Sequence, residues 1–224
     1  MAESPVVAID GPAGSGKSST AKAVAERLGL PHLDSGALYR AVTLAGLDAG
    51  GDVSGQRLLA LARALPVRLA LAEDGFHPEV AGADVSRAIR DGRVDRRVSE
   101  VAAMPEVRDW VNGLLREAVR RHPRGAVLDG RDIGTVVFPD AALKVYLTAA
   151  PRERARRRLT QEGREPAGAA LDEATRDLER RDAADAARAV APLRRAPDAV
   201  QLDTTGMSFD EQVDVIVRLA RKSF

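Results

Sequence analysis

One stretch near the start restricts the whole chain: Val6 to Thr20, VVAIDGPAGSGKSST. Val6, Val7, Ala8 and Ile9 form an apolar, β-branched run that suits a strand buried on both faces. Gly11, Gly14 and Gly16 then give a turn whose backbone can approach a ligand closely. From Ala21 the apolar residues Ala21, Val24, Ala25 and Leu28 fall at helical spacing. Strand, glycine loop and helix meeting at Gly-x4-Gly-Lys-Ser make the P-loop signature. The segment Gly11-Pro12-Ala13-Gly14-Ser15-Gly16-Lys17-Ser18-Ser19 is therefore read as a phosphate cradle, built from loop N–H groups and a helix N-terminus. Lys17 bridges the β- and γ-phosphates of a nucleoside triphosphate, and the Ser18 hydroxyl can ligate Mg²⁺.

Composition narrows the setting. A chain of 224 residues can bury one good core, with room for a small insertion. It has no cysteine, which excludes disulfide and thiolate–metal chemistry and suits a cytoplasmic location. No apolar run reaches the roughly 18 residues of a membrane span, and the residues before the first strand do not resemble a signal peptide. A formal charge of +1 gives no reason to expect nucleic-acid binding. The basic residues are nearly all arginine, so an arginine taken alone reads first as a solvated side chain. Lysine occurs only at Lys17, Lys22, Lys144 and Lys222, which gives Lys17 added weight.

Along the chain, His32-Leu33 reads as a short strand and Asp34-Ser35 as the cap of a helix from Ala37 to Ala49. Ser35 reads either as that cap alone or as a site residue, and Arg40 can face the phosphate loop or solvent. Ser54 opens a further helix with Leu58, Leu61, Ala62 and Leu65 on one face. The period then changes to two between Pro66 and Val85, with Glu73-Asp74-Gly75 as a turn, predicting a small inserted antiparallel sheet. A polar helix from Arg93 to Ala103 follows. The next helix begins at Pro105 and turns Val107, Trp110, Val111, Leu114, Leu115 and Ala118 inward, closing at Pro123-Arg124-Gly125. Ala126-Val127-Leu128 is a second buried strand that ends in Asp129-Gly130-Arg131-Asp132. An acid at the carboxyl end of such a strand lies where parallel sheets bind ligands, so Asp129 is a candidate Mg²⁺ ligand, directly or through water. Leu143 to Leu147 is another core strand. The helix from Pro151 carries Arg152, Arg154, Arg156, Arg157 and Arg158, either as a charged face or as a cover for ATP phosphates. Gly163 to Gly168 reads as a mobile loop before a helix from Leu171 to Asp185. A last strand, Val200 to Leu202, precedes a helix capped by Ser208 and Glu211.

This order predicts an α/β fold: a central parallel sheet flanked by helices, with an inserted antiparallel sheet and a lid segment. The three histidines are scattered, and no metal-ligand or Ser-His-Asp set can be drawn from them. A GTPase would show an Asn-Lys-x-Asp segment, which is missing. A small phosphoryl-transfer enzyme remains, and Arg40, Arg108, Arg131, Asp132, Asp185 and Arg188 suit an acceptor that is itself phosphorylated.

GPAGSGKSS, LDSGALYR, LDGRDIGTVVFPDA and RAVAPL together resemble the bacterial cytidylate kinases over nearly the whole chain. The resemblance implies a single P-loop kinase domain with its core at about 1–35, 105–150 and 196–224. It places a nucleoside monophosphate (NMP) region at about 36–104 and a lid at about 156–185. It implies ATP as donor, Mg²⁺, and CMP and dCMP as acceptors; a monomer is the simplest expectation for the oligomeric state. It puts Ser35 and Arg40 in the acceptor pocket, with Arg40 on the CMP phosphate, and has Ser99, Arg108 and Asp132 read cytosine. Arg131 and Arg188 would clamp phosphate, Arg181 and Asp185 would approach the ribose, and Arg157 and Arg158 would serve as lid arginines over ATP. Catalytic work would fall to Lys17, Arg131, Arg188 and Asp129. The chain departs from many relatives at Ala187, where Asn is usual, and in the lid segment EGREPAGAALDEA. The nearest rival is a P-loop kinase acting on AMP, UMP or a non-nucleotide; a rival of another class is a nucleotide-binding regulatory protein.

Overall fold

The computed structural model describes residues 5–50, 55–72, 75–122 and 124–224. The expected helix start at Ser54, the turn residues Glu73 and Asp74, and Pro123 lie outside the described residues, as do residues 1–4.

In chain order the first elements are β1 (Val6–Asp10), α1 (Lys17–Leu28), β2 (His32–Asp34), α2 (Ser35–Asp48) and α3 (Gly55–Ala64). A small sheet follows, of β3 (Arg68–Ala72), β4 (Gly75–Val80) and β5 (Ala83–Asp84), then α4 (Gly92–Val101) and α5 (Pro105–Arg120). The remainder is β6 (Ala126–Gly130), a π-helical turn Ile133–Val137, β7 (Leu143–Thr148), α6 (Pro151–Gln161), α7 (Gly168–Ala186), β8 (Val200–Asp203) and α8 (Phe209–Ser223). The central sheet is five-stranded and parallel, as expected, and the inserted sheet is three-stranded and antiparallel.

The chain divides into two compact units. One comprises Pro5–Leu30 and Val127–Phe224, where the sheet order runs β6-β1-β7-β8. Val7 lies opposite Leu143 and Ile9 opposite Val145, while Leu147 lies opposite Leu202. Every residue of β1 is buried, because α1 and α8 cover the sheet with Ala21, Val24, Val213, Ile216 and Val217. The Ser208–Glu211 capping box fixes the start of α8. Gly11 has no room for a side chain: a Cβ there would run into the carbonyl oxygen of Leu147 at the end of β7. This lets the loop leave β1 tight against its neighbour.

The other unit is Pro31–Ala126. Asp34, not Ser35, caps α2, with Oδ1 accepting from the Ala37 N–H at 3.1 Å, and Ser35 is the first residue inside the helix. Asp91 caps α4 in the same way through Arg93. The inserted sheet pairs Leu69 with Pro78 and Leu71 with Phe76. On α5 the buried stripe is Val107, Val111, Leu115 and Val119, while Trp110, Leu114 and Ala118 are only half-buried. That rotation also buries Arg108 and Asn112, two polar side chains in a core-facing position.

Candidate active site

Lys17 opens α1, largely buried, with its Nζ donating to the Pro12 carbonyl at 3.4 Å. Ser18, next in the helix, donates from Oγ to Asp129 Oδ2 at 2.5 Å. Asp129 reaches this position from within β6, in an otherwise apolar strand, because parallel strand ends converge on the loop. A hydroxyl and a carboxylate side by side fit Mg²⁺, which keeps several waters and takes its remaining oxygens from phosphate. Of the other loop residues, Pro12, Ala13 and Ser15 are buried, the Ser15 Oγ lacks a hydrogen-bond partner, and Ser19 is exposed.

Asp10, the last residue of β1, was not foreseen as a site residue. Its carboxylate accepts from the Ile133 N–H at 2.8 Å and the Gly134 N–H at 2.7 Å, so it holds the π-helical turn that follows Arg131 and Asp132. Burial pushes its pKa up to about 6, against the pull of the two amide N–H groups.

The arginines divide sharply. Arg131 donates from Nε to Asp185 Oδ2 at 2.9 Å, and Arg188 donates to Asp185 Oδ1. Asp185 is 2% exposed, so one buried carboxylate holds two guanidinium groups together. Asp132, next to Arg131 in sequence, is buried, and Arg181 is half-buried on α7. Arg157 bonds Glu153 at 2.8 Å and Thr204, through its carbonyl at 2.6 Å and its hydroxyl at 3.0 Å. Its Nη1 lies 4.0 Å from where a Cβ on Gly16 would sit, so it stands beside the phosphate loop. Arg158 pairs instead with Glu162 at 2.9 Å. The two adjacent arginines thus sit in different surroundings, Arg157 near the loop and Arg158 on the acid that caps the end of α6.

In the Pro31–Ala126 unit, Ser35 is buried, and Arg40 pairs with Asp95 at 2.7 Å while donating to the Ile89 carbonyl at 3.2 Å. Arg108 is 2% exposed; it donates to the Ala102 carbonyl at 2.8 Å, and its Cζ stands 5.4 Å from the Tyr39 ring centroid. Ser99 is half-buried on α4. Asp95 and Asn112 are further polar side chains of this unit that sequence reading missed. Asn112 had a visible signal, lying one helical turn from Arg108 on the buried side.

Among the described residues no cluster of three or more His, Cys, Asp or Glu is poised to hold a metal, and no helix is long and apolar enough to cross a membrane.

The family model described as cytidylate kinase matches residues 7–222. A cytidylate kinase from Shouchella clausii is 44% identical, covering 99% of this chain and 98% of that protein. One from Chlorobaculum tepidum is 45% identical, covering 97% and 93%. A Synechococcus protein called bifunctional pantoate ligase/cytidylate kinase is 47% identical over 99% of this chain and 45% of its own length. Among solved structures, an uncharacterized protein from Eubacterium ventriosum aligns with TM-score 0.52 at 13% identity, over 97% of this chain and 98% of that one, a likeness of fold alone. With the family model and its curated relatives matching nearly end to end, the chain belongs to the cytidylate kinase family.

Proposed function

We infer that the protein transfers the γ-phosphoryl group of ATP to CMP or dCMP, yielding ADP and CDP or dCDP. The observation that carries this reading is the family match over residues 7–222. An oxygen of the acceptor α-phosphate attacks the γ-phosphorus in line. The bond from that phosphorus to the β,γ-bridging oxygen breaks, and ADP leaves with the electron pair. The acceptor is already an anion near neutral pH, so no side chain has to remove a proton. Catalysis is then positioning and neutralisation of charge.

Lys17 meets the β- and γ-phosphates from the loop. Arg131 and Arg188 hold the transferring group, kept together by Asp185, which on this reading also approaches the ribose together with Arg181. Ser18 and Asp129 would hold Mg²⁺, which when bound would supply positive charge to the phosphate oxygens. Arg157 covers the ATP phosphates more readily than Arg158, given its place beside Gly16. Ser35 and Arg40 line the acceptor pocket, where the acceptor phosphate takes the place Asp95 holds at Arg40. Ser99 and Arg108 donate to the cytosine O2 and N3, and Asp132 accepts from its N4 amino group. Uracil inverts the pattern at positions 3 and 4, which sets an oxygen against Asp132.

A panel of CMP, dCMP, UMP, AMP and shikimate, each with ATP and Mg²⁺, tests the reading. CMP and dCMP are expected to turn over fastest; faster turnover of AMP or UMP overturns it.

A further inference from the structure

Ala13, at the tip of the phosphate loop, has both of its backbone polar groups taken by side chains from other elements. Its N–H donates to Asp182 Oδ1 at 2.9 Å, and its carbonyl accepts from Arg154 Nη1 at 2.7 Å. The same Nη1 bonds Asp182 Oδ2 at 2.5 Å, and Arg154 Nε is anchored on the Ala149 carbonyl at 3.0 Å. Arg154 on α6 and Asp182 on α7 therefore form an ion pair closed around the backbone of one residue. Arg154 is 5% exposed and the Asp182 side chain 18%, so the charge-assisted pair is largely shielded from water. Apolar packing reinforces it. Ala13 belongs to a small core with Ala155, Leu159, Leu171 and Leu178. Gly14 lies so close to α6 and α7 that a Cβ on it would stand 3.2 Å from the Arg154 carbonyl oxygen and from Leu178 Cδ1.

The same face of α7 continues to the arginines. Leu178, Asp182 and Asp185 fall at helical spacing along one stripe. Leu178 supports Gly14, Asp182 holds Ala13, and Asp185 holds Arg131 and Arg188. The two carboxylates are about 4.5 Å apart along the axis, a separation that a regular helix keeps rigid. The Tyr146 hydroxyl has its pKa raised first by burial and then by Asp182, with Arg131 and Arg154 drawing it back down. The clamp and the arginine pair share one electrostatic neighbourhood.

We propose that the Arg154–Asp182 pair is a positioning device for phosphoryl transfer: it ties the phosphate loop to α7 and so sets the distance between Lys17 and the Arg131–Asp185–Arg188 group. The proposal rests on the kinase reading above. Neither residue touches substrate. Both act through the loop, and the Ala13 N–H, committed to Asp182, is withdrawn from the phosphate cradle.

The test compares steady-state kinetics of the wild type with Asp182→Asn, Arg154→Lys and Arg154→Met/Asp182→Asn, on protein shown to be folded by circular dichroism well below its Tm. Misplacing the loop against the arginines spoils transition-state contacts while leaving the triphosphate grip. The kcat of Asp182→Asn should therefore fall about 10- to 100-fold, with KM for Mg-ATP within about threefold of wild type. Arg154→Lys keeps the charge and lacks the fork, so it is the variant to rely on should the others not fold, and its kcat should fall about 10-fold. The double variant should be no slower than Asp182→Asn, because both changes open one clamp. Folded variants with kcat within about twofold of wild type would show the pair to be a stability element only, and a double variant clearly slower than Asp182→Asn would show that the two residues do not act as one clamp; either result overturns the proposal. An inactive wild type with CMP would overturn the reaction reading and this proposal with it; an active wild type with equally active variants overturns this proposal alone.

Discussion

Ser18 Oγ and Asp129 Oδ2 lie 2.5 Å apart, although 111 positions separate them in the chain. The first residue after the loop lysine and the acid in β6 thus meet at the point where a triphosphate and its metal would lie. Asp129→Ala should lower kcat/KM at fixed Mg²⁺ by about 100-fold and raise the Mg²⁺ concentration needed for half-maximal rate. Initial velocities across a Mg²⁺ titration give the answer. An unchanged Mg²⁺ dependence would reduce the contact to a helix-to-strand tether.

Asp10 makes stability depend on pH in an unusual direction. Its folded pKa of about 6 lies above the ordinary 3.8, so the folded protein keeps a proton between those values that the unfolded chain has released. The contribution is fully present below the unfolded pKa and is lost as pH rises through about 6, a change on the order of 3 kcal/mol. Asp10→Asn does not titrate. Its stability relative to wild type should therefore rise by that order between about pH 4 and about pH 7. Urea unfolding at several pH values checks this; parallel curves for the two proteins would mean that Asp10 is ionised throughout.

On the proposed function Asp132 contacts the acceptor and not the donor. Asp132→Ala should raise KM for CMP by about 10- to 100-fold and leave KM for ATP nearly unchanged, the loss expected when a buried amino group keeps no acceptor. Asp132→Asn offers a donor in its place and should shift the UMP-to-CMP ratio of kcat/KM toward UMP. Equal loss for CMP and ATP would mark Asp132 as structural.

Gly11→Ala should fail structurally. The new methyl group meets the Leu147 carbonyl, which is backbone and part of β7, so the strand or the loop has to move. A destabilisation of about 3 kcal/mol or more is expected in denaturant unfolding. A variant of wild-type stability would mean that the loop leaves β1 by a looser path.

Much of this molecule can be read locally. The strand–loop–helix unit at Val6 to Leu28, the period-two insertion and the capping box at Ser208 are signals contained within a few residues of each other, and each element forms as its pattern predicts. Arg157 and Arg158 show where local reading ends. They are neighbours in a run of arginines, and only the packing of α6 brings one of them beside Gly16 and leaves the other on Glu162. Arg154 in the same run resembles a solvated side chain until α7 supplies Asp182. Asp10 is harder still, because an acid at the end of a buried strand carries no sign of the two amide groups, more than a hundred residues away, that it will hold. The cap at the start of α2 was legible as a pair of residues, and the choice of Asp34 over Ser35 was settled by which side chain reaches the Ala37 N–H.

Arg131 and Arg188 share the single carboxylate of Asp185, so the group carries one positive charge more than it neutralises internally. Guanidinium groups stay protonated at any pH a cell reaches. The charge of the two guanidinium groups is therefore fixed, and a change of pH alters their hold on a phosphate only by protonating the phosphate itself.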